Sequence, residues 1–136
     1  MFFAIKTIIR TIKYQFGISR GTGETALRLL DIDSRDMEPV CRAELIESIV
    51  SRTLRAGRLF GMLNTCLTRS VVFARLIREQ GYEARVIFGL NKGENILSGH
   101  CWVVWPERPT PGIKDSNYQI YYVYPEPDKY PGWTPE

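Results

Sequence analysis

Residues that build metal centres are scarce in this chain. There is one histidine, His100, and there are three cysteines, Cys41, Cys66 and Cys101, none in a close-pair spacing. A zinc site would need that histidine and nearly every cysteine at once, so no metal is expected. Nor does any motif ask for an organic cofactor. An odd cysteine count without a signal-peptide pattern points to free thiols in a reducing, cytoplasmic setting rather than to a disulfide framework. Charge of one sign is also scarce. The net charge is +3 and the basic residues are scattered, which argues against a nucleic-acid partner. Long apolar runs are missing too, since Lys6, Arg10 and Lys13 interrupt the N-terminal stretch and exclude a spanning helix. An amphipathic helix laid on the core or on a partner fits that stretch better than one on a membrane surface.

What is present is an ordinary globular balance over 136 residues, enough for one domain with one core. Residues 1–57 read as a helical part. Residues 3–15 set Phe3, Ile5, Ile8, Ile9 and Ile12 on one side, and residues 24–31 make a shorter helix carrying Leu27, Leu29 and Leu30. A polar connector follows over 31–39. Residues 41–56 repeat Leu45, Ile46, Ile49, Val50 and Leu54 at helical spacing, with Gly57 as the stop.

Residues 58–124 carry the chemistry. Thr65 is a good N-cap, and the apolar-rich run from Cys66 to Gln80, ended by Gly81, predicts a central helix. Strands are expected at 84–90, 96–105 and 113–124, separated by a turn at 91–95 and a proline-bearing loop at 106–112. Residues 125–136 form an extended tail with four prolines. Helices followed by an antiparallel sheet make the fold class α+β.

Cys66 falls in the first turn of the predicted central helix. A free thiol has a pKa of about 8.5, and a helix N-terminus or a neighbouring imidazole lowers it. The unpaired amides at the same helix start can hold an oxyanion. His100, on the second strand behind Ser98 and Gly99, would be the imidazole. Side chains alternate along a strand, so if His100 faces the helix, Cys101 is turned away from it and serves as a small buried residue. Cys41 reads as core.

Cys66-Leu67-Thr68-Arg69-Ser70, Ala74-Arg75-Leu76-Ile77-Arg78, Gly81-Tyr82-Glu83-Ala84-Arg85-Val86 and His100-Cys101-Trp102-Val103 follow one another in order. Over roughly residues 45–105 this series resembles the transglutaminase-like leader peptidases of lasso-peptide biosynthesis, the stand-alone protease half of a split processing machinery. The resemblance implies a papain-like core and a Cys-His-Asp triad that removes the leader from a ribosomally made precursor peptide. Cys66 is then the nucleophile and His100 the general base and acid. A small leader-binding recognition protein and a ring-closing cyclase are the implied partners, and Arg69 and Ser70 are structural or leader-facing. Cys101 and Val104 depart from that family's usual Ala and Glu.

The third triad member should lie on the strand beside His100, where it holds the imidazole in its useful tautomer. A hairpin tip near Arg108 and Pro109 would put Asp115 almost opposite Trp102. A tip nearer Gly112 would favour Gln119 or Tyr121, and Asn117 and Glu126 are further candidates. Asn64 could add an oxyanion donor. Two other functions share these residues. One is acyl transfer to an amine from the same thioester. The other is a non-catalytic docking module that grips a partner through Tyr121, Tyr122, Tyr124, Tyr130 and Trp133.

Overall fold

The computed structural model describes residues 2–20, 28–30, 42–61, 65–91, 98–106 and 118–124. Within them lie three α-helices and one antiparallel sheet of three strands, so the fold is α+β. The helices are α1 (Phe2–Arg20), α2 (Ala43–Gly57) and α3 (Cys66–Glu79). The strands are β1 (Arg85–Asn91), β2 (Ser98–Val104) and β3 (Tyr118–Tyr124). No helix among the described residues is long and apolar enough to cross a membrane. Of the helix expected at 24–31 only residues 28–30 are described, and Leu30 there is fully buried. The connector at 31–39 and the tail at 125–136 lie outside the described residues.

α3 is the central element. It packs against α1, α2, β1 and β2, and Val71, Val72, Phe73, Ala74, Leu76 and Ile77 are all buried. Its end follows from its sequence. Gly81 sits at φ 94°, its N–H donates to Arg78 C=O, and the Tyr82 N–H donates to Ile77 C=O. This pair of bonds around a left-handed glycine satisfies the last helical carbonyls. Arg78, buried at the same end, donates to Ala84 C=O at 2.8 Å and ties the helix to the start of the sheet.

α2 turns Ala43, Ile46, Val50 and Leu54 into the core while Leu45 is exposed. The chain does not turn away at Gly57, whose φ is an ordinary helical −62°. It runs on through a 3-10 turn, Arg58–Phe60, to Gly61 at φ 78°, which is the true stop. Only that second glycine needs the left-handed conformation.

α1 runs further than the expected 3–15, and its orientation corrects the apolar side read from sequence. Phe3 packs inward, but Ile5, Ile8, Ile9 and Phe16 are exposed, whereas Thr7, Thr11 and Gln15 are buried. The threonines are tolerated there because their hydroxyls are satisfied within the helix. Thr7 donates to Phe3 C=O at 2.9 Å and Thr11 to Thr7 C=O at 2.8 Å. Glu79 at the end of α3 holds α1 in place, accepting hydrogen bonds from Arg10, from the Tyr14 hydroxyl and from Arg75 of its own helix.

The strand order is β2-β1-β3, with both pairings antiparallel. β1 is therefore central, and β2 and β3 do not form the hairpin expected from their succession. Prolines 106, 109 and 111 fall in the β2–β3 connection, where a ladder would need N–H donors that proline lacks. That connection is also long enough to carry the chain across β1 to its other edge. The unbroken apolar character of β1 agrees with its place, since Val86 and Ile87 point to opposite faces and both are fully buried.

The two sheet faces serve different clusters. Cys101, Trp105, Val86 and, partly buried, Phe88 and Val103 join the core formed with α2 and α3. Ile87, Trp102, Val104 and Val123 make a second cluster on the other face. Phe73 of α3 meets Trp105 edge-on, with ring centroids 5.4 Å apart, and fastens the helix over the end of β2.

Candidate active site

The site begins with the cap on α3. Thr65 is extended, with φ −87° and ψ 164°, and its hydroxyl accepts the Thr68 N–H at 3.1 Å. The first intrahelical bond runs from Arg69 N–H to Thr65 C=O at 3.0 Å, which leaves the amides of Cys66 and Leu67 unclaimed by the helix ladder. Cys66 is the first residue of the helix and half-buried. Its side chain thus stands at the positive end of the helix dipole. Replacing Thr65 by alanine is expected to cost about 1 kcal/mol of stability, read from the shift of the thermal melt. The same variant should alkylate more slowly at Cys66, because the cap fixes the turn that carries the thiol.

α3 rests on β2 through this turn and the next. Ser70, one turn along from Cys66 on the same side of the helix, donates to Cys101 C=O at 3.2 Å. Cys66 packs against the core cluster that contains Cys101. Burial, and then Cys66, push the Cys101 thiol up to about 12. It is therefore protonated at neutral pH and a poor nucleophile. Of the two described thiols, only Cys66 combines partial exposure with a helix N-terminus. Ser70 is structural, and Arg69 is exposed beside the site.

The histidine's placement corrects the facing inferred from alternation. Cys101 pairs with Phe88 on the face covered by α3, whereas His100 pairs with Gly89 and belongs to the opposite side set. Its half-exposed ring stacks on Trp102 with centroids 5.8 Å apart and planes 27° from parallel. The residue turned toward Cys66 is thus Cys101, and His100 is its neighbour along the strand. Alternation separates these two side chains but does not say which one faces the helix. The register of β2 on β1 decides it.

The same register removes the reason for setting Asp115 opposite Trp102. The strand beside β2 is β1, where Ile87 faces Trp102, Gly89 faces His100 and no residue is acidic. Gln119 pairs with Leu90 instead, and the other side of Gly89 is met by Ile120. Asp115, Asn117, Glu126, Asn64 and Cys41 lie outside the described residues. No group of three or more His, Cys, Asp or Glu among the described residues is placed to hold a metal ion.

Among known families, the one described as the Transglutaminase-like superfamily matches residues 11–123, which takes in part of α1, all of α2 and α3, β1, β2 and all of β3 but Tyr124. No curated protein and no solved structure matches the chain.

Proposed function

The chain belongs to the transglutaminase-like superfamily, which includes cysteine proteases and acyltransferases, and from that premise we propose that it is a cysteine endopeptidase acting on a ribosomally made precursor peptide. The observation that carries this reading is the thiol in the capped first turn of α3, on a helix that packs against β2, the strand that also carries His100. In the proposed reaction Cys66 attacks the scissile carbonyl, and the unclaimed amides at the head of α3 hold the oxyanion. His100 takes up the thiol proton and returns it to the leaving amine. Water then hydrolyses the thioester.

His100 belongs to the side set of β2 opposite Cys101, so the proposed reaction requires β2 to rearrange and bring the imidazole to the thiol. Catalytic hydrogen bonds are often long without substrate and tighten when it binds. Asp115, just ahead of β3, takes the third place on the strength of the family resemblance alone. The leader-binding protein and the cyclase are the proposed partners on the same ground, and removal of a lasso-peptide leader is the proposed role.

Mass analysis of the products tests the reaction. Incubation with a precursor peptide and its leader-binding protein should give two fragments whose masses together exceed the precursor by one water. Loss of ammonia with joining to an added amine would show acyl transfer instead. An intact precursor, with Cys66 equally slow towards iodoacetamide in native and unfolded protein, would favour the docking-module reading.

A further inference from the structure

We propose that Cys66 and Cys101 form a modification site, in which a peroxide oxidises Cys66 and Cys101 then closes on it to make a reversible disulfide. The first support is placement. Both cysteines are free, Cys101 stands on the face of β2 that α3 covers, and Cys66 begins the helix that covers it. The second is anchorage. Ser70, on the same side of α3 as Cys66, bonds to the carbonyl of Cys101 itself, so the first turns of the helix are pinned to this residue of the strand. The third is packing, since Cys66 lies against the core cluster that contains Cys101. A disulfide needs sulfurs about 2.05 Å apart on Cα atoms no more than about 7 Å apart.

Access sets the order of events. Cys66 is half-buried and at a helix N-terminus, so peroxide meets it first, while Cys101 is only 5% exposed. The Cys66 thiolate displaces hydroxide from the peroxide and becomes a sulfenic acid. The Cys101 sulfur then attacks the Cys66 sulfur, the S–O bond breaks, and hydroxyl leaves with the Cys101 proton as water. A small-molecule thiol restores both cysteines by exchange. Because burial holds Cys101 protonated, the closing step accelerates as pH rises above neutral. The disulfide would spare Cys66 from irreversible sulfinic acid. That it also stops turnover rests on the catalytic reading of Cys66; its formation does not.

The reduced full-length chain, treated with equimolar hydrogen peroxide, unfolded, alkylated and mapped, should yield one linked peptide pair joining Cys66 and Cys101. Cys41 should be alkylated, and dithiothreitol should release the pair. In Cys101→Ala and Cys101→Ser the same treatment, repeated with excess peroxide, should leave Cys66 as sulfinic acid that dithiothreitol does not rescue. Sulfinic acid at Cys66 of the unaltered chain, with Cys101 still alkylated, would overturn the proposal, as would a bond to Cys41. A linked pair in protein that never cleaves precursor would sink the catalytic reading and leave the disulfide standing.

Discussion

Cys66→Ala is expected to abolish precursor cleavage, with a fall in rate on the order of 10⁴-fold or more, while the protein stays folded. The magnitude follows from the route. Without the thiol there is no thioester, and only binding and the oxyanion donors at the head of α3 remain. The structural cost is small, because a half-buried thiol at the start of a helix gives way to the best helix former. Cys101→Ala is the informative control. It removes the buried thiol on the α3-covered face of β2 but leaves the backbone carbonyl to which Ser70 donates, so cleavage should persist within a few-fold. Chromatographic assay of fragments, with circular dichroism on the same samples, checks both variants. Cleavage surviving in Cys66→Ala would end the peptidase reading, and equal loss in both variants would point to damage at the α3–β2 contact.

The second large effect concerns stability. Glu79→Ala should lower the unfolding free energy by about 3 kcal/mol, because removing one member of a buried charged network strands its partners. The carboxylate is only 11% exposed and accepts from Arg10, Tyr14 and Arg75 together, so its loss leaves two guanidinium groups and a phenol without their shared acceptor. Arg10 is considerably more exposed and should contribute least, so Arg10→Ala is expected to cost below about 1 kcal/mol. Chemical denaturation midpoints compare the two, and equal losses would contradict the arrangement. Tyr14 adds a pH signature. Burial first, and then the bond to Glu79, raise its pKa above the usual 10.0. The folded chain therefore holds that proton after the unfolded chain has lost it. The resulting stability is complete below pH 10.0 and is lost as pH climbs through the folded value.

α3 could be read from one end to the other, because its signals are local. Thr65 caps, Cys66 leads and Gly81 closes, and each acts within one turn of its own position. The α+β class followed from the same kind of local evidence. The orientation of α1 did not, since hydrophobic spacing favoured burial of the isoleucines while Thr7 and Thr11 satisfied their hydroxyls along the helix and took the inner face. Strand order depended on the long β2–β3 connection, though β1 gave a clue in Val86-Ile87-Phe88, an apolar run without the polar alternation of a half-exposed strand. Both site corrections follow from pairings distant in sequence. Phe88 opposite Cys101 decides which thiol and which ring face α3, and β1 between β2 and β3 removes the hairpin that had brought Asp115 close.

The inward polar face of α1 bears on how the molecule comes apart. Its contact with the remaining helices includes Thr7, Thr11 and Gln15 where a typical helix would bury leucines, so dehydration of hydrocarbon, through Phe3, Tyr14 and Ile18, contributes less to holding it. The Glu79 carboxylate of α3 adds to the fastening through Arg10 and Tyr14. Cooperativity is accordingly expected to be uneven, with α1 opening at lower free energy than α2, α3 and the sheet, which share the fully buried centre.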